Sequence, residues 1–141
     1  MKRIITILIV FAVVLSIYAK EDMYSSLVID ARDISLTRSM SPKILNESGL
    51  EVYGTVLNEK ALEEALEKGV VAYIDTLENA KKHLKERLGK NPLIIKAKGV
   101  VGKTASNLVL KNTDASKILK ENQKSGFLDK FNVIILMSRE D

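Results

Sequence analysis

Ala97-Lys98-Gly99-Val100-Val101-Gly102-Lys103-Thr104 comes nearest in this chain to a chemical motif. It matches a relaxed phosphate loop, with Ala in place of the first Gly. Such loops work because backbone N–H groups and a helix N-terminus converge on the phosphates, so strand, loop and helix must follow in that order. A strand-like run, Leu93 to Lys98, does precede it, but Asn107 to Lys111 reads as another strand rather than a helix. The segment is therefore read as a Gly-bearing turn between two strands. His83 is the only histidine, within Lys81-Lys82-His83-Leu84-Lys85-Glu86-Arg87. Without carboxylate partners it assembles no metal site, and it reads as part of a solvated helix face. A Ser-His-Asp triad would have to use it, among cations that disfavour the imidazolium such a mechanism forms. No Ser sits in a Gly-x-Ser-x-Gly turn, and nothing singles out a Ser–Lys pair. Glu63-Glu64 falls on the exposed side of a helix. Asp30 and Arg32 alternate onto one strand face, which suits a cross-strand ion pair or an interface contact. No residue is assigned a catalytic, cofactor-binding or metal-binding role, and the chain is read as non-enzymatic.

The elements that would position any site follow from the spacing of apolar residues. Leu27 to Arg32 alternates as a strand, with Leu27, Ile29 and Ala31 on one face. Residues 33–42 lack a period and end at Ser41-Pro42. Lys43 to Asn46 and Glu51 to Gly54, around a link at 47–50, predict a β-hairpin. Asn58 is a good N-cap for a helix over 58–68, in which Ala61, Leu62, Ala65 and Leu66 form the apolar stripe and Gly69 the stop. Val70 to Ile74 is rich in β-branched residues and is read as a short strand, although Leu66, Val70, Tyr73 and Leu77 also keep a helical spacing that would continue the helix. A helix over 76–88 places Leu77, Ala80, Leu84 and Leu88 on one face. Strands follow at 93–98 and 107–111, then a helix over 114–124 with Thr113 as N-cap and Ala115, Ile118 and Leu119 inward. Phe131 to Met137 carries the strongest strand signal in the chain and reads as the buried central strand. The fold expected is α+β, a mainly antiparallel sheet with helices packed on one face, in a single domain.

The N-terminus carries a different signal. Met1-Lys2-Arg3 precedes an uncharged run from Ile4 to Tyr18, and Ala19 precedes Lys20-Glu21-Asp22. A basic start, an apolar stretch and a small residue before a charged segment make a secretory signal peptide. Residues 1–19 are assigned to it and 20–141 to the domain. The competing reading is an uncleaved anchor, but the apolar run is short of the roughly 20 residues that span a bilayer. Loss of Lys2 and Arg3 with the signal lowers the net charge from +4 to +2. A balance that small argues against nucleic acid as a partner. The chain has no cysteine, so disulfides and a lipid-bearing cysteine are both excluded. With aromatic residues at 5% and no Trp, a sugar-stacking platform looks poor.

Leu27 to Arg32, Met40-Ser41-Pro42-Lys43-Ile44 and Glu51-Val52-Tyr53-Gly54 resemble, in that order, bacterial envelope proteins of the FlgP type. Asn91 to Ala97, Asn112-Thr113-Asp114-Ala115, Phe127-Leu128 and Val133 to Leu136 extend the likeness over most of residues 27–136. The resemblance implies a small exported envelope component, grouped with flagellar assembly and able to form rings. This chain departs from it in lacking the lipidated cysteine of many members and in having Asp33 where Gly is expected.

The functional expectation is an exported, periplasmic or extracellular structural or interaction protein of the bacterial cell envelope, flagellum-associated and self-assembling. Its partners would be copies of itself and other envelope or flagellar proteins, with no cofactor, no nucleic acid, and membrane contact only through an uncleaved signal. The alternative is an envelope binding module for a small ligand or polysaccharide. Self-association is expected through strand edges without Pro, at Leu27 to Ala31 and Leu108 to Leu110.

Overall fold

Leu27, Val28 and Ile29 are all fully buried although they are consecutive in one strand, Ser26–Asp30 (β1). Successive side chains of a strand point to opposite faces, so both faces of this sheet must be covered. The computed structural model describes residues 23–139. The predicted signal peptide and its cleavage site lie outside them.

β1 sits inside a four-stranded sheet with Ala72–Ile74 (β4), Pro92–Lys96 (β5) and Val133–Leu136 (β8), in the order β4-β8-β1-β5. Every pairing in it is parallel. A second sheet contains Ile44–Asn46 (β2), Glu51–Tyr53 (β3), Gly99–Val101 (β6) and Asn107–Leu110 (β7), in the order β3-β2-β7-β6. Its centre, β2 with β7, is parallel, and its two flanking pairs are antiparallel hairpins. Among the described residues the helices are Glu59–Lys68 (α1), Leu77–His83 (α2), Lys85–Leu88 (α3) and Asn112–Ser125 (α4).

The architecture is thus α/β, with one wholly parallel and one mixed sheet, and this corrects the expectation of a mainly antiparallel α+β sheet. The hairpin at β2–β3 was legible and β6–β7 forms a second, but both lie in the mixed sheet and neither sets the strand order of the parallel one. β1 pairs with β5 and β8, each reached through intervening helices, and a crossover of that kind makes strands parallel. The expectation of helices on one face fails for a related reason. On one side of the first sheet, Val28, Ile134 and Leu136 pack with Ala80 and Leu88 of α2 and α3. On the other side, Leu27, Ile29, Val133 and Ile135 share a core with Ile44, Leu108 and Leu110 of the second sheet and with Ile118 of α4. The chain changes sheets between two adjacent residues. Ala97 N donates to Asp30 O in the first sheet at 2.9 Å, and Lys98 N to Val109 O in the second at 2.8 Å.

The supposed free edges are also corrected. β1 lies between β8 and β5, and β7 between β2 and β6, so neither presents an unpaired ladder. The outer strands are β4, β5, β3 and β6.

Helix boundaries follow local chemistry. The Asn58 side chain accepts from Ala61 N at 2.8 Å, as an N-cap should, and Gly69 ends α1 with φ of 84°. The helix expected over 76–88 is two helices. Thr76 caps the first, and at Leu84 the backbone leaves helical geometry with φ of −126°. The second short helix then turns Arg87 and Leu88 inward. Thr113 is not a cap. It lies inside α4, whose first turn begins with Lys111 O accepting from Ala115 N at 2.9 Å, without a side-chain cap.

Candidate functional site

α1 is amphipathic in sequence, yet its apolar stripe splits in two. Ala65 is buried and Ala61 partly so, whereas Leu62 is 49% exposed and Leu66 76% exposed. Two leucines on a packed helix should each be worth about 1.5–3 kcal/mol if buried. Here they are left facing an open groove.

The groove has a volume of about 790 Å³ and runs between α1 and the segment from Arg38 to Lys43. Val70 and Tyr73, before and within the edge strand β4, lie on it, as does Val56 after β3. The loop wall is pinned by two side chains, Asn107, whose Oδ1 accepts from Lys43 N at 2.9 Å, and Tyr73. Tyr73 Oη accepts from Ser39 N at 3.1 Å and donates to Ser39 O at 3.0 Å. Burial raises the Tyr73 pKa above its ordinary value, the hydrogen bond from Ser39 N opposing it, so the hydroxyl remains a donor. Gly54 is required where the chain after β3 meets this wall. Its φ is +134°, and a Cβ there would approach Pro42 O to 2.8 Å. Within the wall Met40 is 93% exposed.

The charge on this groove is of one sign. Its ionisable lining residues are Arg38, Lys43 and Tyr73, with no carboxylate among them. The Arg38 guanidinium lies 5.7 Å from the Tyr73 ring centroid, within cation–π range. Lys43 is 3.6 Å from Glu51, a loose surface pair. The groove is thus an open, apolar surface rimmed by cations.

The residues singled out in sequence lie elsewhere and are not brought together. His83 ends α2 and is exposed. Glu63 and Glu64 are exposed on α1. Asp30 and Arg32 do meet, but locally and not across strands. Arg32 Nε and Nη2 donate to the two Asp30 carboxylate oxygens at 2.9 and 2.8 Å. The hydrogen bond from Arg32 holds the Asp30 pKa below its ordinary value. Because the folded-state pKa is the depressed one, that stabilisation is present near neutral pH and is lost as pH falls through the folded pKa. The phosphate-loop-like segment is a hairpin. β6 pairs antiparallel with β7, Gly102 turns the chain at φ of +97°, and no helix follows until Asn112. Lys103 is exposed at that turn. Lys103→Ala should leave the unfolding midpoint unchanged within about 0.5 kcal/mol, the usual range for surface substitutions. Saturable ATP binding by the purified protein, abolished in this variant, would contradict the hairpin reading.

Sequence reasoning missed the groove. It is assembled from residues 38–43, 54–56, 62–66 and 70–73, and the one available signal was the pairing of Leu62 and Leu66 with small alanines at 61 and 65. A model of the second domain of Treponema pallidum Tp0624 matches residues 26–139, from the first residue of β1 to beyond the end of β8. The chain belongs to that family. The Tp0624 second-domain match therefore covers both sheets, the helices α1 to α4 and every wall of the groove. No curated protein matches the chain. Among the described residues, no helix of this family member is long and apolar enough to cross a membrane.

Proposed function

We propose that this protein is an exported, non-enzymatic interaction protein of the bacterial cell envelope that works by self-association. The observation that carries the reading is the apolar groove, with Leu62, Leu66 and Met40 standing exposed along it. Monomeric proteins rarely leave a contiguous apolar surface of this kind open, and such surfaces mark docking sites. The signal-like N-terminus supports export, and the likeness to FlgP-type proteins supports an envelope role associated with the flagellum.

The runner-up, a module for a small ligand or polysaccharide, is favoured by one observation, since about 790 Å³ is within the size of small-molecule pockets. Against it, such sites bury most of their ligand behind walls that are themselves buried, and these walls are 49% exposed at Leu62 and 76% at Leu66. Tyr73 is the one aromatic residue on the groove, which is little for stacking a sugar.

The protein recovered from the envelope of expressing cells should begin at Lys20, and its mass by light scattering should rise with concentration across the micromolar range. A strict monomer at every concentration defeats the self-association reading. An intact Met1 on a cytoplasmic product defeats export.

A further inference from the structure

The surface that carries the groove also carries its complement. α1 presents Leu62 and Leu66 beside Glu63 and Glu67, an apolar stripe edged by carboxylates. All four side chains are exposed, and among the described residues none of the α1 glutamates belongs to an ion pair. The groove next to this helix is apolar and edged by Arg38 and Lys43, and among the described residues Arg38 has no carboxylate partner either. Acidic apolar helix and basic apolar groove are therefore complementary halves of one contact on the same face of one chain, with Lys43 held only by its loose pair to Glu51.

We infer that a second copy of this chain occupies the groove, laying its α1 along the groove so that Leu62 and Leu66 pack against those of the first copy while Glu63 and Glu67 face Arg38 and Lys43. This rests on the self-association reading and names its surface. A helix in a hydrophobic groove anchors through residues four apart, which is the spacing of the two leucines. Because each copy owns both halves, the contact is made twice about a two-fold axis. A two-fold contact is isologous and closes at two copies, so larger assemblies would need a second surface. The charged rim supplies orientation and rejects wrong partners more than it supplies affinity, and the apolar centre supplies affinity.

The test uses residues 20–141 in analytical ultracentrifugation, with circular dichroism melts as the check on folding. Three variants change exposed residues only: Leu62→Ser with Leu66→Ser, Arg38→Glu with Lys43→Glu, and Glu63→Arg with Glu67→Arg. Each should weaken dimerisation at least tenfold while leaving the melt in place. The two charge-reversed proteins, each monomeric alone, should form a mixed dimer when combined, because every groove then faces a helix of opposite charge. Dimers that persist in all three variants overturn this surface while leaving self-association intact. Monomeric charge variants that fail to combine overturn the two-fold complementarity. A monomeric wild-type chain overturns both this inference and the reading beneath it.

Discussion

Ile135→Ala is expected to destabilise the protein by about 2–5 kcal/mol, the range for deleting buried methyl groups and leaving a cavity. Ile135 has no exposed surface and lies in the third position of β8. It stands in register with Ile29 on one side and Tyr73 on the other, so it has strand neighbours on both flanks. It belongs to the core shared by both sheets, where Leu27, Leu108 and Leu110 are likewise buried. Interiors of this density relax only partly around a lost side chain. Urea unfolding of residues 20–141 would measure the change, and a loss below about 1 kcal/mol would mean that β8 is not the central strand its burial indicates.

Arg87→Ala is the second large effect expected, about 3–5 kcal/mol. The reason is a buried cation that satisfies backbone rather than a carboxylate. Arg87 is 7% exposed, and its guanidinium donates to Phe131 O at 3.0 Å, to Gly69 O at 3.2 Å, and to Lys68 O. Burial lowers its pKa from the ordinary value, the expected direction for a desolvated cation. The carbonyls it serves belong to the last turn of α1 and to the approach to β8. Phe131 is held there at a positive φ of 57°, a conformation costly for a bulky residue. Hydrogen bonds to a charged donor contribute about 1.5–3 kcal/mol each, and a buried acceptor stripped of its donor costs about 1–3 kcal/mol. Arg87→Lys retains the charge but not the fork, so its loss should fall between wild type and Ala in the same unfolding measurement. Equal stability of Arg87→Ala and wild type would show that the carbonyls find water instead.

The clamp also bears on the groove. Tyr53 Oη donates to Val70 O, and Arg87 Nη1 to Gly69 O, so the turn between α1 and β4 is held by two side chains from outside it. Burial pushes the Tyr53 hydroxyl pKa far up, which keeps it protonated and donating. Val70 lies on the groove and Gly69 ends the helix that walls it. The binding surface is thus built on fixed backbone, and this preorganisation lowers the ordering cost of docking a partner.

Local signals in the sequence determined most of the elements. Asn58 and Gly69 bracket α1 because a side-chain acceptor and a positive φ are what helix ends need. The run around Ile135 announced a strand buried on both faces, and the link at 47–50 announced the β2–β3 hairpin. The signal-like N-terminus is likewise a property of sequence, and no packed structure is needed to read it. What the sequence could not supply was which strands become neighbours. Val28 looked like the outward residue of an alternating strand, yet it is fully buried because α2 and α3 cross over that face. Hydrophobic alternation reports how many faces are covered only when the covering elements are known, and these lie 50 or more residues away in the chain. The break at Leu84 was equally invisible, because its reason is the turning inward of Arg87 toward carbonyls from α1 and the β8 approach. The groove is the plainest case. Leu62 and Leu66 sit on the apolar side of a helix in sequence, and only the placement of the 38–43 segment, tied to Tyr73 through Ser39, leaves them open to solvent. Apolar spacing reports that a side chain seeks a partner, and tertiary structure decides whether this chain itself provides one.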